Sequence, residues 1–159
     1  MKEERTTRME EYYPMPAFAQ LQVADLDQAT RWYTDVLGFR SIFTMPGPGG
    51  APLLAHLRRS RYQDLLLVRA RKPRAPGVPV GVGVALYFQF EESFEALDAL
   101  AERARQSGGT VEGPANTPWN TREAQFLDPD GYRLVFTKGP LEAHATMDDI
   151  VARAQTPES

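Results

Sequence analysis

One order of elements can be read twice along this chain, and it restricts the fold more than any other feature. Residues 17–23 (AFAQLQV) alternate as a half-buried strand does. Asp25 follows as a helix N-cap, with Gln28 three residues on in a capping-box-like arrangement. Ala29, Trp32, Tyr33, Val36 and Leu37 recur at helical spacing and make one face apolar. Gly38 is placed to end that helix, because it takes a left-handed conformation without a Cβ penalty. Residues 39–44, 53–58 and 64–69 read as three strands, with the Pro- and Gly-rich loop MPGPGGAP (45–52) after the first.

After the connector RKPRAPGVPVGVG (71–83), whose prolines cannot donate to a sheet ladder, the plan starts again. Residues 84–90 (VALYFQF) read as a strand, and Ser93 is a candidate N-cap. Phe94, Leu97, Leu100, Ala101 and Ala104 line one helix face, which Gly108 and Gly109 stop. Residues 110–112 form a short strand. Residues 122–127 and 132–138 form a hairpin around Asp128-Pro129-Asp130-Gly131, where Pro129 presets one turn dihedral and Gly131 accepts a positive φ. Both halves therefore read β-α-β-β-β, an internal duplication in which FAQLQV lies on ALYFQF and Gln22 on Gln89.

The remaining organisation follows from this repeat. Residues 1–15 read as a flexible N-terminal arm, 16–70 as the first module, 71–83 as a linker, 84–139 as the second module and 140–159 as a C-terminal tail. In the tail, Thr146 or Asp148 caps a short helix bearing Met147, Ile150, Val151 and Ala154. Such a helix is marginal alone and should dock on the body or on a second subunit.

Composition narrows the function classes. A chain of 159 residues suits one domain or two small fused modules, and 42% hydrophobic with 25% charged residues is a globular composition. A net charge of −3 argues against a nucleic-acid partner. The absence of cysteine removes disulfides, thiolate metal sites and thiol nucleophiles together. No stretch has the length or apolar purity of a membrane span, and the charged start lacks the apolar core of a signal peptide. The expected location is therefore cytoplasmic. The basic run Arg58, Arg59, Arg61, Arg69, Arg71, Lys72, Arg74 reads as solvated surface, with contact to an anionic ligand or partner as the alternative.

Two stretches together, QVADLDQATRWYTDVLGF (22–39) and FLDPDGYRLVF (126–136), resemble hallmarks of the vicinal oxygen chelate superfamily, the glyoxalase, bleomycin resistance and dioxygenase group. The resemblance covers about residues 16–139. It implies an α+β fold in which two βαβββ modules form a cup-shaped mixed sheet around a ligand. In metal-dependent members, His, Gln or Glu project into the cup from the first and last strands of each module. Carried over, those positions are Phe18, Leu67 (to within one residue), Ala85 and Val135. None has a side chain that binds a metal, so no metal and no cofactor is expected. A register shift bringing in Gln20, Gln89 or Glu123 is the alternative. Only two histidines exist: His56 in the strand LLAHLRR reads as a hydrogen-bonded structural residue, and His144 lies in the tail.

Strand alternation then proposes a lining. If Phe18 faces inward, so do Gln20 and Gln22; if Ala85 does, so do Tyr87 and Gln89. Arg133 and Thr137 share the face of Val135, and Glu123 shares one with Gln125. These amides and rings orient a polar ligand by hydrogen bonds and are poor nucleophiles. Glu123 is a weak catalytic candidate, and a cross-strand ion pair with Arg133 is its plainer reading. Trp119, in the loop NTPWNTRE, either caps the core or stacks on a flat ligand, as the resemblance to metal-free drug-binding members implies.

The expectation that follows is a metal-independent binding protein that sequesters an amphipathic, partly aromatic antibiotic or metabolite; the resemblance to metal-free members implies a homodimer with exchanged modules. A lyase, isomerase or dioxygenase of the same fold, with a displaced metal or metal-free chemistry, is the second reading. An accessory domain whose cup is filled by its own side chains is the third.

Overall fold

The computed structural model describes residues 12–156, and the chain divides into two units between Val78 and Pro79. The first holds β1 (Ala19–Val23), α1 (Leu26–Asp35), β2 (Arg40–Pro46), β3 (Pro52–Arg58) and β4 (Asp64–Arg69). Its sheet runs in the order β1-β4-β3-β2. β1 and β4 are parallel, which requires a long crossover; α1 and the β2–β3 hairpin supply it.

Asp25 caps α1 by accepting from the Gln28 backbone N–H at 2.9 Å. Gly38 follows the helix at φ +76°, and the Phe39 N–H closes back to the Tyr33 carbonyl at 3.0 Å. The buried stripe is Leu26, Ala29, Tyr33, Val36 and Leu37. Trp32, expected on that stripe, is half-buried at its edge, with its ring set edge-on to Tyr33 at 5.0 Å. The stripe meets Leu21, Val23, Ala55, Leu57, Leu65 and Leu67, which all lie on one face of the sheet. Each Leu or Val among them contributes about 1.5–3 kcal/mol by leaving water.

The second unit repeats the arrangement with β5 (Leu86–Gln89), α2 (Phe94–Gln106), β6 (Thr110–Asn116), β7 (Arg122–Leu127) and β8 (Arg133–Lys138), in sheet order β5-β8-β7-β6. β5 and β8 are parallel, as β1 and β4 are. Ser93 caps α2 by accepting from the Ala96 N–H at 3.1 Å. Leu97, Leu100, Ala101 and Ala104 of α2, with Phe88, Phe90, Ala124, Phe126, Leu134 and Phe136, form the core. Arg122 adds a two-pronged bond to Asp98 on α2, at 2.7 and 3.1 Å.

The β7–β8 turn closes through Asp128. Its side chain accepts from the backbone N–H groups of Asp130 (2.9 Å) and Tyr132 (2.8 Å), while Gly131 sits at φ +97°. β6 runs past the expected residues 110–112, because a bulge between Glu112 and Ala115 lets pairing resume. Gly113 occupies the bulge at φ +80°, where an added Cβ would lie 2.7 Å from the Glu123 carbonyl oxygen and 3.0 Å from the Ala115 nitrogen. Gly113→Ala is therefore expected to destabilise the protein by roughly 2 kcal/mol or more. Chemical denaturation measures this, and an unchanged midpoint would contradict it.

In the tail, α3 (Met147–Ala154) is capped by Thr146, whose reciprocal partner is Asp149, so Thr146 rather than Asp148 is the cap. Of the N-terminal arm, residues 1–11 lie outside the described residues; the Tyr13 hydroxyl accepts from the Tyr62 N–H at 2.9 Å. Among the described residues no helix is long and apolar enough to cross a membrane.

Candidate functional site

In each unit the helix covers one face of the sheet, and the opposite face carries the polar strand residues. The second unit's open face is built in rows across the strands. Tyr87, Val135, Gln125 and Glu112 stand opposite one another in one row, and Gln89, Thr137, Glu123 and Ala115 in the next. Strand alternation produces this, since Phe88, Phe136, Ala124 and Phe126 point to the helix.

Glu123 is the hub of these rows. Its Oε1 accepts from the Trp119 indole N–H at 2.9 Å, the Thr121 hydroxyl at 3.0 Å and the Thr137 hydroxyl at 3.1 Å. Its Oε2 faces the Tyr87 hydroxyl at 3.5 Å. Desolvation first, and then the Glu123 carboxylate, push the Tyr87 phenol above its ordinary value. Three donors occupy Oε1, so this oxygen anchors the loop, while Oε2 carries only the long Tyr87 contact. What Oε1 anchors is Trp119, 52% exposed on the turn before β7.

That turn is itself fastened. The Thr117 N–H bonds the Thr121 carbonyl at 2.7 Å, and the two threonine hydroxyls meet at 2.7 Å. Asn120, at φ +71°, exchanges two 2.9 Å hydrogen bonds with the Glu142 backbone. Trp119 is thus held from both sides of the chain, with an indole that does not cap the core.

Arg133 lies apart. It stands opposite Leu127, whereas Glu123 stands opposite Thr137, four residues further along β8. That is roughly 13 Å of strand, so the expected Glu123–Arg133 ion pair does not form. Arg133 instead lines a cavity of about 440 Å³ with Pro79–Ala85, Leu127 and Gly131.

The first unit's open face has the same row geometry. Gln22, Val68, Leu54 and Met45 form one row, and Gln20, Leu66, His56 and Phe43 the next. His56 is hydrogen-bonded, as its strand context suggests: Nε2 lies 2.6 Å from Asp64 Oδ2. Asp64 also takes Arg58 Nε at 2.7 Å and Nη2 at 2.8 Å, and the Tyr13 ring lies 4.1 Å from the Arg58 guanidinium carbon. Burial raises the Asp64 pKa, but the hydrogen bonds and charges of Arg58 and His56 outweigh it and hold the carboxyl below its ordinary value. The pairing of Arg58 with Asp64 at the ends of β3 and β4 is the signal that finds this cluster.

The model of the Glyoxalase/Bleomycin resistance protein/Dioxygenase superfamily matches residues 16–136. The chain belongs to that superfamily. TnmS3, an antibiotic binding protein from Streptomyces sp. CB03234, is 26% identical at a TM-score of 0.58, over 80% of this chain and 96% of its own. A glyoxalase/bleomycin resistance protein from the same strain is 28% identical at a TM-score of 0.53, over 75% and 96%. A glyoxylase/bleomycin resistance protein/dioxygenase domain from Frankia sp. EAN1pec shares the fold at a TM-score of 0.62, with 24% identity over 84% and 96%. No curated protein matches the chain.

Within this superfamily the question of a metal turns on donor atoms. Phe18 and Ala85 lie just before β1 and β5, and Val135 stands opposite Tyr87 on β8; none offers a donor atom. Leu67 is fully buried against α1, so within the one-residue latitude the position is Leu66, which offers none either. Among the described residues no three of His, Cys, Asp or Glu converge. These four positions supply no donor atom for the superfamily's metal.

Proposed function

We propose that this chain is a metal-independent small-molecule-binding protein that sequesters an amphipathic, partly aromatic ligand, an antibiotic or a metabolite. The observation that carries the reading is Trp119. Its N–H is committed to Glu123, it is half exposed, and among the described residues no other ring contacts it. A ring held this way meets a flat ligand with little further loss of side-chain freedom. The exposed amides of Gln20, Gln22 and Gln89, with half-buried Gln125, supply donors and acceptors on the open faces. The antibiotic-binding relative at 26% identity supports the same reading.

The test is a fluorescence titration with a neutral planar probe, 2-(hydroxymethyl)anthraquinone, exciting tryptophan. Saturable quenching that disappears in Trp119→Ala, with Trp32 left in place, is the expected result. Quenching of equal size and midpoint in the variant removes the reading.

We extend the proposal to a homodimer. α3 exposes Met147 at 72% and Val151 at 50%, an apolar pair on a short helix. Light scattering at micromolar concentration is expected to give twice the 17.8 kDa chain mass. A monomer mass contradicts it.

A further inference from the structure

The two units carry opposite charge. Residues 1–78 hold 12 Lys and Arg against 8 Asp and Glu, and residues 79–159 hold 6 against 13. Within the first unit the excess is placed unevenly. A cavity of about 1010 Å³ opens at the end of the sheet face where β1 and β4 finish. Its floor is the row Gln22, Val68, Leu54, Met45, with Leu53 beside it and Gln20 in the next row; its rim is Arg69, Ala70, Arg71 and Lys72.

The rim is drawn against β1 by two bonds. The Ala70 N–H donates to the Val23 carbonyl at 3.0 Å, and Arg74 Nη1 donates to the Gln22 carbonyl at 3.2 Å. The Arg71 and Lys72 side chains have no hydrogen bond or ion pair among the described residues, while Arg69 pairs with Val23 at the end of β4. Among the described residues no carboxylate lines the cavity. The described acids of this unit are occupied elsewhere: Asp25 caps α1, Asp27 and Asp35 lie on α1, which packs against the opposite sheet face, and Asp64 is neutralised by Arg58. Two cations, Arg71 and Lys72, therefore stand at the rim of a half-apolar cavity with no counter-charge among the described residues, an arrangement that repels cations and concentrates anions.

We infer that this face binds an amphipathic organic anion, its apolar body on Val68, Leu54 and Met45 and its carboxylate, sulfonate or phosphate on Arg71 and Lys72. The site stands on the first unit alone. It rests on the binding function proposed above but not on Trp119, so either can fail without the other. Guanidinium groups engage such oxoanions in two-pronged geometry, and the ammonium adds a point charge. Gln20 and Gln22 add polar contacts at the β1 side.

The test uses 8-anilinonaphthalene-1-sulfonate and its uncharged skeleton, N-phenyl-1-naphthylamine, titrated by dye fluorescence against the full chain. The sulfonate is expected to bind the tighter of the two, with a preference that fades between 0.1 M and 1 M salt as screening shortens to about 3 Å. Arg71→Glu with Lys72→Glu is expected to weaken the sulfonate roughly tenfold or more and leave the neutral dye unchanged. Arg71→Gln with Lys72→Gln should give an intermediate loss, and both residues are exposed, so both variants are expected to fold. Equal affinity of the two dyes, or a charge-reversed variant that binds the sulfonate as before, overturns the inference. A charge-reversed variant that instead lowers the mass in light scattering also overturns it, because the rim would then serve a second copy of the chain.

Discussion

Asp64→Ala is expected to destabilise the protein by about 3–5 kcal/mol, because it leaves a buried cation without its partner. Arg58 is 6% exposed and Asp64 4%, so water replaces neither side of the pair. Removing the carboxylate also takes the acceptor from His56, whose Nε2 sits 2.6 Å away. Asp64→Asn keeps the shape and one acceptor oxygen, and its cost should be smaller. The pH dependence has a definite sign. The folded-state pKa of Asp64 lies below its ordinary value of 3.8, so the stabilisation is full above that value and is lost as pH falls through the lower, folded one. The gap in stability between the wild type and Asp64→Asn is therefore expected to be constant near neutrality and to shrink below about pH 4. Urea midpoints across pH 2–7 measure both effects. A gap independent of pH, or a loss under about 1 kcal/mol on Asp64→Ala, would show that the cluster is not the charged pair its distances describe.

Trp119→Ala is expected to weaken a planar aromatic probe about tenfold or more, the loss of one stacking surface worth about 1–3 kcal/mol. Global stability should move little, because the indole is half exposed and outside the core. Glu123→Gln gives a finer reading. Glutamine keeps an acceptor for the indole N–H while losing the charge, so the probe should lose less than in Trp119→Ala. If Glu123→Gln abolishes binding while Trp119→Ala spares it, the carboxylate contacts the ligand itself and the anchoring role is wrong.

Much of this architecture is legible in local chemistry. Asp25, Ser93 and Thr146 each precede an apolar helical period, and each accepts a backbone N–H from three residues on. Asp128-Pro129-Asp130-Gly131 forces a tight reversal, and β7 and β8 leave it on either side. Alternation puts Gln20, Gln22, Tyr87, Gln89, Glu123 and Gln125 on the polar faces, because the residues between them, Leu21, Phe88 and Ala124, are apolar and buried.

Pairing across strands is harder to read. The Glu123–Arg133 pair assumed adjacency from the shared face alone. Counting outward from the turn, Leu127 meets Arg133 first and Glu123 meets Thr137, which separates the charges. Trp119 illustrates a different limit. Its bond to Glu123 depends on the reversal at Thr117–Asn120 and on Asn120 holding Glu142, contacts that no periodicity encodes. The longer β6 likewise depends on Gly113 absorbing an extra residue, visible in sequence only as Gly-Pro after a strand.

The central claim is binding without a metal, and one titration tests it directly. Protein purified without an affinity tag is assayed for bound metal and titrated with 2-(hydroxymethyl)anthraquinone, first in chelator and then after incubation with Zn, Ni, Mn or Fe(II). The account predicts less than about a tenth of an equivalent of metal throughout and the same quenching curve in every sample. A tightly held equivalent, or quenching that appears only with metal, would contradict it and point instead to a metal-dependent member of the superfamily.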